Sequence, residues 1–459
     1  MSLLVLSARA VPERLDTQPK TTVLLDENSA KVDSQDGISK IITLFRDTKS
    51  SIEEISQDTD MGIYCSEHLA KHMMFMKEET SFISSLKAKN IDAAKKSFTS
   101  IPISLKPIYL QIPDKDGRAA LHWATTIDDD GLIDEILKYL PLDKLQTQDK
   151  RDETPLHWAV KSLDENRAAI MTKKLLKSVP IDQRIKLCQI KGEDGKTPLH
   201  WAAQRDEVLK SLIQTLLESE KDLFLCLMSQ DHLGSTPFHI ACSLSEENQA
   251  IKSINTILKS LSMSHRAEML KIPNKEGLTP LHISIRLENA KLAEKISIDI
   301  LESLSYEDRL ISLQDPDDQG ITPLHWAISP NILPSILDTL RSDQRSTAIN
   351  SQDSYGSTPF HWLMTLQKEN LLQVLRLIPE ESRLSCLKMV DGNNLSPIGD
   401  LFEMLITPIL ETMPPKDLSS LHEDMQHSMN RVFDAKRKRC HEDLRPGEKK
   451  SRTIPLISS

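Results

Sequence analysis

Short apolar segments recur along this chain, and each is opened by the same pair, Thr-Pro. The full pattern is Thr-Pro, then Leu or Phe, then His, and then Trp or Ile. Six copies begin at Thr154, Thr197, Thr236, Thr279, Thr322 and Thr358. A degenerate copy at 119–124, Ala-Ala-Leu-His-Trp-Ala, precedes them. Self-similarity at a nearly fixed period predicts a stack of repeats rather than separate globular domains.

The repeats can be numbered by their signature histidines. They stand 35, 43, 39, 43, 43 and 36 residues apart. Repeats 1 to 7 are named here by His122, His157, His200, His239, His282, His325 and His361. A stacked array makes one elongated body, and such a body is usually built to bind rather than to catalyse.

Each repeat carries the signals of a turn followed by a helix start. The Thr occupies the N-cap position and the Pro the first helical position, where a missing N–H costs nothing. Three residues before the Pro stands a residue that tolerates positive φ, which is Gly in every repeat except repeat 2, where it is Asp152. Three residues earlier comes a turn-forming Asp or Asn, with Gly192 as the exception. Each unit is therefore predicted to contain a turn, a capped helix and a second helix.

This pattern resembles the ankyrin repeat, whose most specific motif is Thr-Pro-Leu-His. The resemblance covers residues 80–405 and implies an all-α solenoid of helix-turn-helix repeats, about 36–43 residues each. It also implies that the imidazoles of His157 through His361 hydrogen-bond the loops of adjacent units. An eighth start is visible at 391–398, and two helices at 78–87 and 91–100 have the character of a terminal cap.

The repeats are longer than the usual ankyrin unit, and the extra residues contain a basic position. Sixteen residues before the histidine position stands Lys106, Arg184, Arg266, Arg309, Arg345 or Arg383. An apolar residue or Cys follows four positions later, which predicts an extra helical turn after the second helix. We expect these basic side chains to bind carbonyls at helix C-termini or to pair with acidic neighbours. A basic ligand-binding row along one edge is the alternative.

Composition narrows the class of partner. The net charge of -10 argues against a general nucleic-acid binder, because neutralising phosphates needs clustered Lys and Arg. No apolar run approaches the length of a membrane helix, so we expect neither a membrane nor a specific nucleic acid as partner. The opening residues 1–10 only faintly resemble a signal peptide and lack its basic segment, and cleavage is not expected. The six cysteines show no CxxC pair and are interpreted as reduced, buried fillers.

Two sets of side chains are candidates for partner binding. All five tryptophans follow a signature histidine. They form either a packing stripe between repeats or a binding face, for which Trp201 and Trp326 are the candidates. The second set is the pair of residues at each turn tip, between two fixed turn positions. These pairs are Lys115-Asp116, Lys150-Arg151, Glu193-Asp194, His232-Leu233, Lys275-Glu276, Asp318-Gln319 and Ser354-Tyr355. These pairs differ between repeats, whereas the turn positions on either side of them stay nearly constant. Such variation is expected of a recognition surface on a rigid array.

Motifs for catalysis are absent from the sequence. There is no GxGxxG, GxxxxGK[ST], GxSxG or HExxH, so we expect no catalytic residue and no cofactor. Cys65, His68 and His72 could share one helix face, but no fourth ligand stands at a known spacing. A cap helix with buried Cys and Met is therefore preferred to a metal site.

Residues 436–452 hold eight Lys or Arg against three Asp or Glu. Two basic clusters, at 436–439 and 449–452, have the form of a bipartite nuclear localisation signal. Such a signal would lie along an acidic groove of an import receptor. The basic residues that define the clusters are Lys436, Arg437, Lys438, Arg439, Lys449, Lys450 and Arg452. Non-specific binding to RNA or acidic surfaces is the alternative.

Residues 401–429 also resemble an F-box. The matching positions are Ile409, Leu410, Pro415, Leu418 and Leu421. The resemblance implies binding to a Skp-type ubiquitin ligase adaptor, as in ankyrin effectors of poxviruses and intracellular bacteria. Phe402, Pro408 and the lack of a following Trp depart from the family pattern. The alternative is a last half-repeat with a capping helix at 417–433.

Together these patterns predict five segments. They are a flexible arm at 1–60, a helical cap at 61–113, the ankyrin array at 114–405, a cap or F-box-like segment at 406–434, and a basic disordered tail at 435–459. The expected function is non-catalytic binding of an unidentified protein through the turn tips and first helices, in a nucleus or cytoplasm. A ubiquitin ligase adaptor is the second hypothesis.

Overall fold

The computed structural model describes residues 81–397, apart from 104, 105, 163, 328, 330 and 367–370. The regular elements within these residues are helices, and none of them is a strand. The chain divides into two compact units, 1–150 and 151–459. The predicted arm at 1–60, the Cys65 group and all segments after residue 397 lie outside the described residues.

A pair of helices opens the described part of the first unit, as the sequence predicted. Residues 81–87 are helical, and Ile91–Ser100 forms the second helix. Phe82 and Phe98 are fully buried, with ring centroids 5.2 Å apart. This aromatic contact joins the two helices through their apolar faces.

Repeat 1 follows in the same unit. Its elements are the helices Lys106–Tyr109, Ala120–Ala124 and Asp130–Tyr139 and a 3-10 helix at Leu142–Gln146. The Nζ of Lys106 lies 4.1 Å from the ring centroid of Phe98 and 4.6 Å from that of Tyr139. Lys106 thus contacts aromatic rings at the position where most later repeats have arginine.

The second unit stacks repeats 2 to 7, and each has three helices. The first helices are Pro155–Lys161, Pro198–Ala202, Pro237–Cys242, Pro280–Ile285, Pro323–Trp326 and Pro359–Leu366. The second helices are Glu165–Lys177, Asp206–Leu216, Glu247–Lys259, Ala290–Glu302, Ile332–Asp338 and Leu371–Leu377. The third helices are Ile181–Gln189, Glu220–Leu227, Met263–Leu270, Tyr306–Gln314, Ser342–Ile349 and Glu380–Lys388. Like elements of successive repeats pack against each other along the stack.

The first helices start at the predicted threonines, which occupy the N-cap position, and the signature histidine takes part in the same cap. Thr279 has an extended backbone, and its N–H donates to Nδ1 of His282 at 3.1 Å. The Thr279 hydroxyl lies 2.8 Å from the same nitrogen. At Thr236 the hydroxyl also accepts the N–H of His239 at 3.4 Å, so threonine and histidine each accept a backbone N–H of the other. The histidine therefore satisfies the N–H of the N-cap threonine, and the cap is shared by the two side chains.

The insertion after the second helix is longer than predicted, because it forms a complete third helix rather than one turn. Its apolar positions point inward as expected, and Cys188, Leu270, Leu313, Ile349 and Leu387 are all buried. The third helices have only eight or nine residues, so packing on the neighbouring helices rather than intrinsic propensity stabilises them.

The arginines of the third helices bind carbonyl oxygens, as the sequence predicted. The Nε of Arg309 donates to the carbonyl of Leu304 at 3.2 Å, and its Nη1 donates to the carbonyl of Thr339, in the next repeat, at 2.6 Å. Arg345 repeats the arrangement with Leu340 and Leu377. Each arginine thus joins the start of its own helix to the end of the following repeat's second helix.

Repeat 3 lacks this arginine and uses another link. Leu223 occupies the position and is fully buried. Glu220, at the start of the same helix, accepts the N–H of Ser262 at 2.6 Å and contacts Nδ1 of His265 at 2.7 Å. The hydrogen bonds from Ser262 and His265 lower the pKa of Glu220 to about 2. Residue 220 is far in sequence from residues 262 and 265, and no local pattern predicts its contact with them.

We predict that Arg309→Gln lowers the free energy of unfolding by about 1.5–3 kcal/mol, since the shorter neutral side chain leaves the buried carbonyl of Thr339 without its charged donor. Arg341→Gln is the control, because Arg341 is half-exposed and pairs with the exposed Glu307 and Asp343. Its effect is expected to be below about 0.5 kcal/mol. Urea unfolding of both variants measures the difference. Equal effects would show that the carbonyl bonds contribute nothing beyond a surface ion pair.

Candidate functional site

The turn tips are held by the aspartate or asparagine that the sequence marked as a turn former. The Oδ1 of Asp231 accepts the N–H of Leu233 at 2.8 Å and that of Ser235 at 2.9 Å. Asn274 and Asp353 make the same two bonds in repeats 5 and 7. One side chain thus fixes the backbone on both sides of each tip.

Successive tips are also joined to each other through the backbone. The N–H of Lys275 donates to the carbonyl of Leu233 at 2.9 Å, and that of Gly392 donates to the carbonyl of Tyr355 at 2.7 Å. Gly277 has a φ of 76°, and a Cβ there would lie 2.3 Å from the backbone nitrogen of Asp318. Glycine is therefore required at this position both for its conformation and for the close approach of the next tip.

The tip of repeat 3 departs from this geometry because Gly192 has no carboxylate. Without that acceptor, the N–H of Lys196 bonds to the carbonyl of Glu193 at 3.1 Å. Asp194 then adopts a φ of 60°, a conformation that is unfavourable for a residue with a side chain. The exception noted in the sequence is thus a real change of turn type.

The structure places the predicted tip pairs at the surface. All of these residues are exposed except Asp116 and Glu193, which are half-buried. Leu233 is 70% exposed and Tyr355 is 72% exposed. Arg151 contacts Glu193 at 3.5 Å, and Asp194 contacts Lys196 at 3.7 Å. The tips of repeats 4 to 7 form no such ion pair among the described residues. The role of these residues in binding remains a prediction.

The signature histidines link each repeat of the second unit to the next. With Nδ1 accepting the threonine N–H, the ring proton belongs on Nε2. In His200, this Nε2–H donates to the carbonyl of Ser235 at 2.9 Å, and in His282 to that of Ile321 at 3.1 Å. The same bond is made by His157, His239, His325 and His361. The imidazole role that the family resemblance implied is confirmed.

Burial keeps four of these imidazoles neutral. It lowers the pKa of His200, His239 and His282 from the ordinary 6.5 to about 4, although the bond to the carbonyl acts in the opposite direction. The same cause lowers the pKa of His325. Charging such a ring would break the bond at Nδ1 and leave a buried charge. The histidines are therefore structural groups, not acid–base catalysts.

The tryptophans are half-buried and make contacts between repeats. Trp326 and Trp362, in adjacent repeats, have ring centroids 5.6 Å apart in an edge-on arrangement. Lys161 lies 4.1 Å and Lys196 5.0 Å from the ring centroid of Trp201, so two cations contact that ring. These contacts correspond to the packing interpretation of the stripe. The sequence did not predict the lysines, because Lys161 and Trp201 are brought together only by stacking.

The described residues contain few groups suited to nucleophilic catalysis or metal binding. Cys188, Cys226, Cys242 and Cys386 are free and buried, as predicted, and burial raises the pKa of Cys226 to about 12. Such thiols are poor nucleophiles. Between residues 81 and 397, no described group of three or more His, Cys, Asp or Glu is placed to hold a metal ion. No described helix in that range is long and apolar enough to cross a bilayer.

Several predicted sites lie outside the described residues. They are the Cys65, His68 and His72 group, the F-box-like positions from Ile409 to Leu421, and the basic clusters from Lys436 to Arg452. They stay predictions.

Comparison with known proteins identifies the repeat. The ankyrin repeat family model matches residues 194–223. Inversin of Mus musculus and inversin of Canis lupus familiaris are each 26% identical to this chain over 152 residues, which is 33% of this chain and 13% of inversin. The chain thus matches only a small part of these relatives.

Two solved structures are also similar. The ankyrin repeat domain of Bcl-3 aligns with 56% of this chain and 98% of that domain, at 19% identity and a TM-score of 0.42. EF0377, an ankyrin repeat protein, aligns with 57% of this chain and 98% of its own, at 14% identity and a TM-score of 0.34. The matched family model and the repeat geometry agree with the predicted all-α ankyrin solenoid.

His200, His239 and His282 predict a pH dependence of stability. Their folded pKa of about 4 lies below the ordinary 6.5, so the unfolded chain binds more protons between these values. Stability is therefore fully present above pH 6.5 and is lost as pH falls toward 4, by roughly 3 kcal/mol per histidine at the limit. Urea midpoints at pH 7.5 and pH 5 test this in a range where carboxylates titrate little. An unchanged midpoint would contradict the assignment of neutral, buried rings.

Proposed function

We propose that this chain, which is an ankyrin-repeat protein, is a non-catalytic scaffold that binds a partner protein through its turn tips. The observation that carries the proposal is the contrast within each turn. Residues such as Asp231 and Gly277 are committed to hydrogen bonds and close backbone contacts, whereas in repeats 4 to 7 the two residues between such fixed positions are exposed and form no ion pair with a described residue. Exposed side chains on a rigid frame are suited to recognition.

Two tip residues are the strongest candidates for anchors. Leu233 and Tyr355 are large, apolar and more than two-thirds exposed. Exposure of such side chains costs solvation free energy that burial in a partner's pocket recovers. Their backbones are already fixed, so little conformational entropy is lost on binding. The half-buried faces of Trp201 and Trp326 are secondary candidates, because cations already contact part of each ring.

We expect the double substitution Leu233→Ser, Tyr355→Ser to reduce the yield of the principal partner at least tenfold in affinity capture from eukaryotic cell extract. Loss of two anchors on this scale corresponds to about 1.4 kcal/mol or more of binding free energy. The control is Ile170→Ser, Met263→Ser, which removes two exposed apolar residues from a second and a third helix. Thermal melting checks that all variants fold. Equal loss of the partner from both double variants would place the binding surface elsewhere.

A chain ending at Pro408 extends the same capture experiment to the C-terminal residues. A partner kept by this shorter chain belongs to the repeats. Loss of a Skp–cullin complex, together with its loss from a Leu418→Asp, Leu421→Asp variant, would support the F-box adaptor as the function. If those two substitutions only lower the melting temperature, the segment is a capping helix.

A nuclear location is a second proposal, and the two basic clusters of 436–452 support it. We predict that alanine at Arg437, Lys438, Lys449 and Lys450 abolishes nuclear accumulation of a tandem fluorescent fusion, because both clusters lose charge that an acidic receptor groove requires. The matched control replaces four exposed lysines of the repeats, Lys173, Lys177, Lys221 and Lys252. Nuclear accumulation that persists in the tail variant would refute the signal.

A further inference from the structure

The tips of repeats 4 to 7 carry apolar and acidic side chains in a regular order. Leu233 stands on tip 4, Glu276 on tip 5, Asp318 on tip 6 and Tyr355 on tip 7. We call these four residues the tip strip. All four are exposed, and Leu233 and Tyr355 have the highest exposed fractions among the exposed large apolar side chains of the described residues, 70% and 72%.

The acidic part of the tip strip has no close ion-pair partner among the described residues, and Lys271 interacts with Asp315 only at longer range. Asp315 and Asp317 lie beside Asp318, so three carboxylates occupy four consecutive positions. Neither they nor Glu276 form an ion pair with a described residue, and Lys275 is the one Lys or Arg within the four tip pairs. The tip of repeat 3 differs, because its two carboxylates contact Arg151 and Lys196. Carboxylates that lack an ion-pair partner and lie between two apolar residues favour a ligand that has cations between two apolar residues.

A segment of this same chain has that composition. It begins with Leu444, continues through Arg445, Lys449, Lys450 and Arg452, and ends with the apolar residues of 454–457. Three steps between packed repeats of roughly 8–10 Å give the tip strip a length of about 24–30 Å. The ten residue steps from Leu444 to Ile454 span at most about 33–36 Å when extended. The two lengths are therefore compatible.

The connection between array and segment also permits the contact. Between Pro397 and Leu444 lie 46 residues. Even as one continuous helix, 46 residues would span roughly 70 Å, which is more than the length of the tip strip. Attachment to the same chain gives the segment an effective concentration on the order of millimolar, so even weak binding would be populated.

We propose that residues 444–457 dock on the tip strip of the same molecule, with their basic residues over Glu276 and Asp318 and their apolar residues against Leu233 and Tyr355. The contact covers the most exposed apolar side chains of the array and offsets the charge between them. A partner protein that binds the same tips must then displace the segment. The proposal concerns the isolated chain and does not depend on which partner the scaffold binds.

Zero-length carbodiimide crosslinking of dilute, purified full-length protein tests the docking. The amines of Lys449 and Lys450 are expected to couple to Glu276 or Asp318 at least fivefold more often than to the exposed carboxylates of Glu247 and Glu381, as quantified by mass spectrometry. Leu233→Ser, Tyr355→Ser should abolish this preference without removing any reactive group. Ile170→Ser, Met263→Ser is the control and should leave the preference intact.

Two results would overturn the proposal. One is coupling spread evenly over exposed carboxylates, or coupling unchanged by the tip substitutions. The other is coupling between chains in a mixture of isotopically light and heavy protein, which would make a second copy the occupant. Because no partner is present, failure here leaves the capture experiment unaffected. If crosslinking is intact but the tip variant captures the partner as well as the unmodified chain does, the result counts against the scaffold function alone.

Discussion

Each junction of the second unit depends on a buried imidazole that bonds in two directions. In His282, Nδ1 accepts the N–H of Thr279 at its own helix start, and Nε2 donates to the carbonyl of Ile321 in the next repeat. Only a neutral ring can accept at one nitrogen and donate at the other. The helix start and the register between repeats are therefore fixed by one side chain, and burial, which lowers the histidine pKa, maintains the state that this requires.

The third helices add a second line of junctions away from the tips. Arg309 and Arg345 bind the carbonyls at the end of the following second helix, and in repeat 3 Glu220 makes the link instead. Both solutions pair polar groups at a helix end or start, the arginines in a part-buried setting and Glu220 at the surface. The longer repeat thus carries the groups that hold it to its neighbour.

With helices and junctions fixed by these bonds, the tips are free to vary. The carboxylate of Asp231 and the backbone bond from Lys275 to Leu233 determine where the tip lies, and neither depends on which side chains the tip presents. The same frame therefore carries the acidic tip of repeat 6 and the apolar Tyr355 of repeat 7. This independence is the physical basis for proposing recognition, and self-docking, at the tips.

The sequence by itself determined the number of described repeats, the helix starts, the turn residues and the carbonyl-binding arginines, because these features rest on residues a few positions apart within a repeated unit. It predicted one extra turn as the insertion, whereas the structure has a complete helix, and it predicted the threonine caps but not the histidine's share in them. Only the tertiary structure decided that Lys161 contacts Trp201 and that Glu220 meets His265. Those pairs lie about one repeat apart, and their contact depends on how successive repeats stack, which no local spacing encodes.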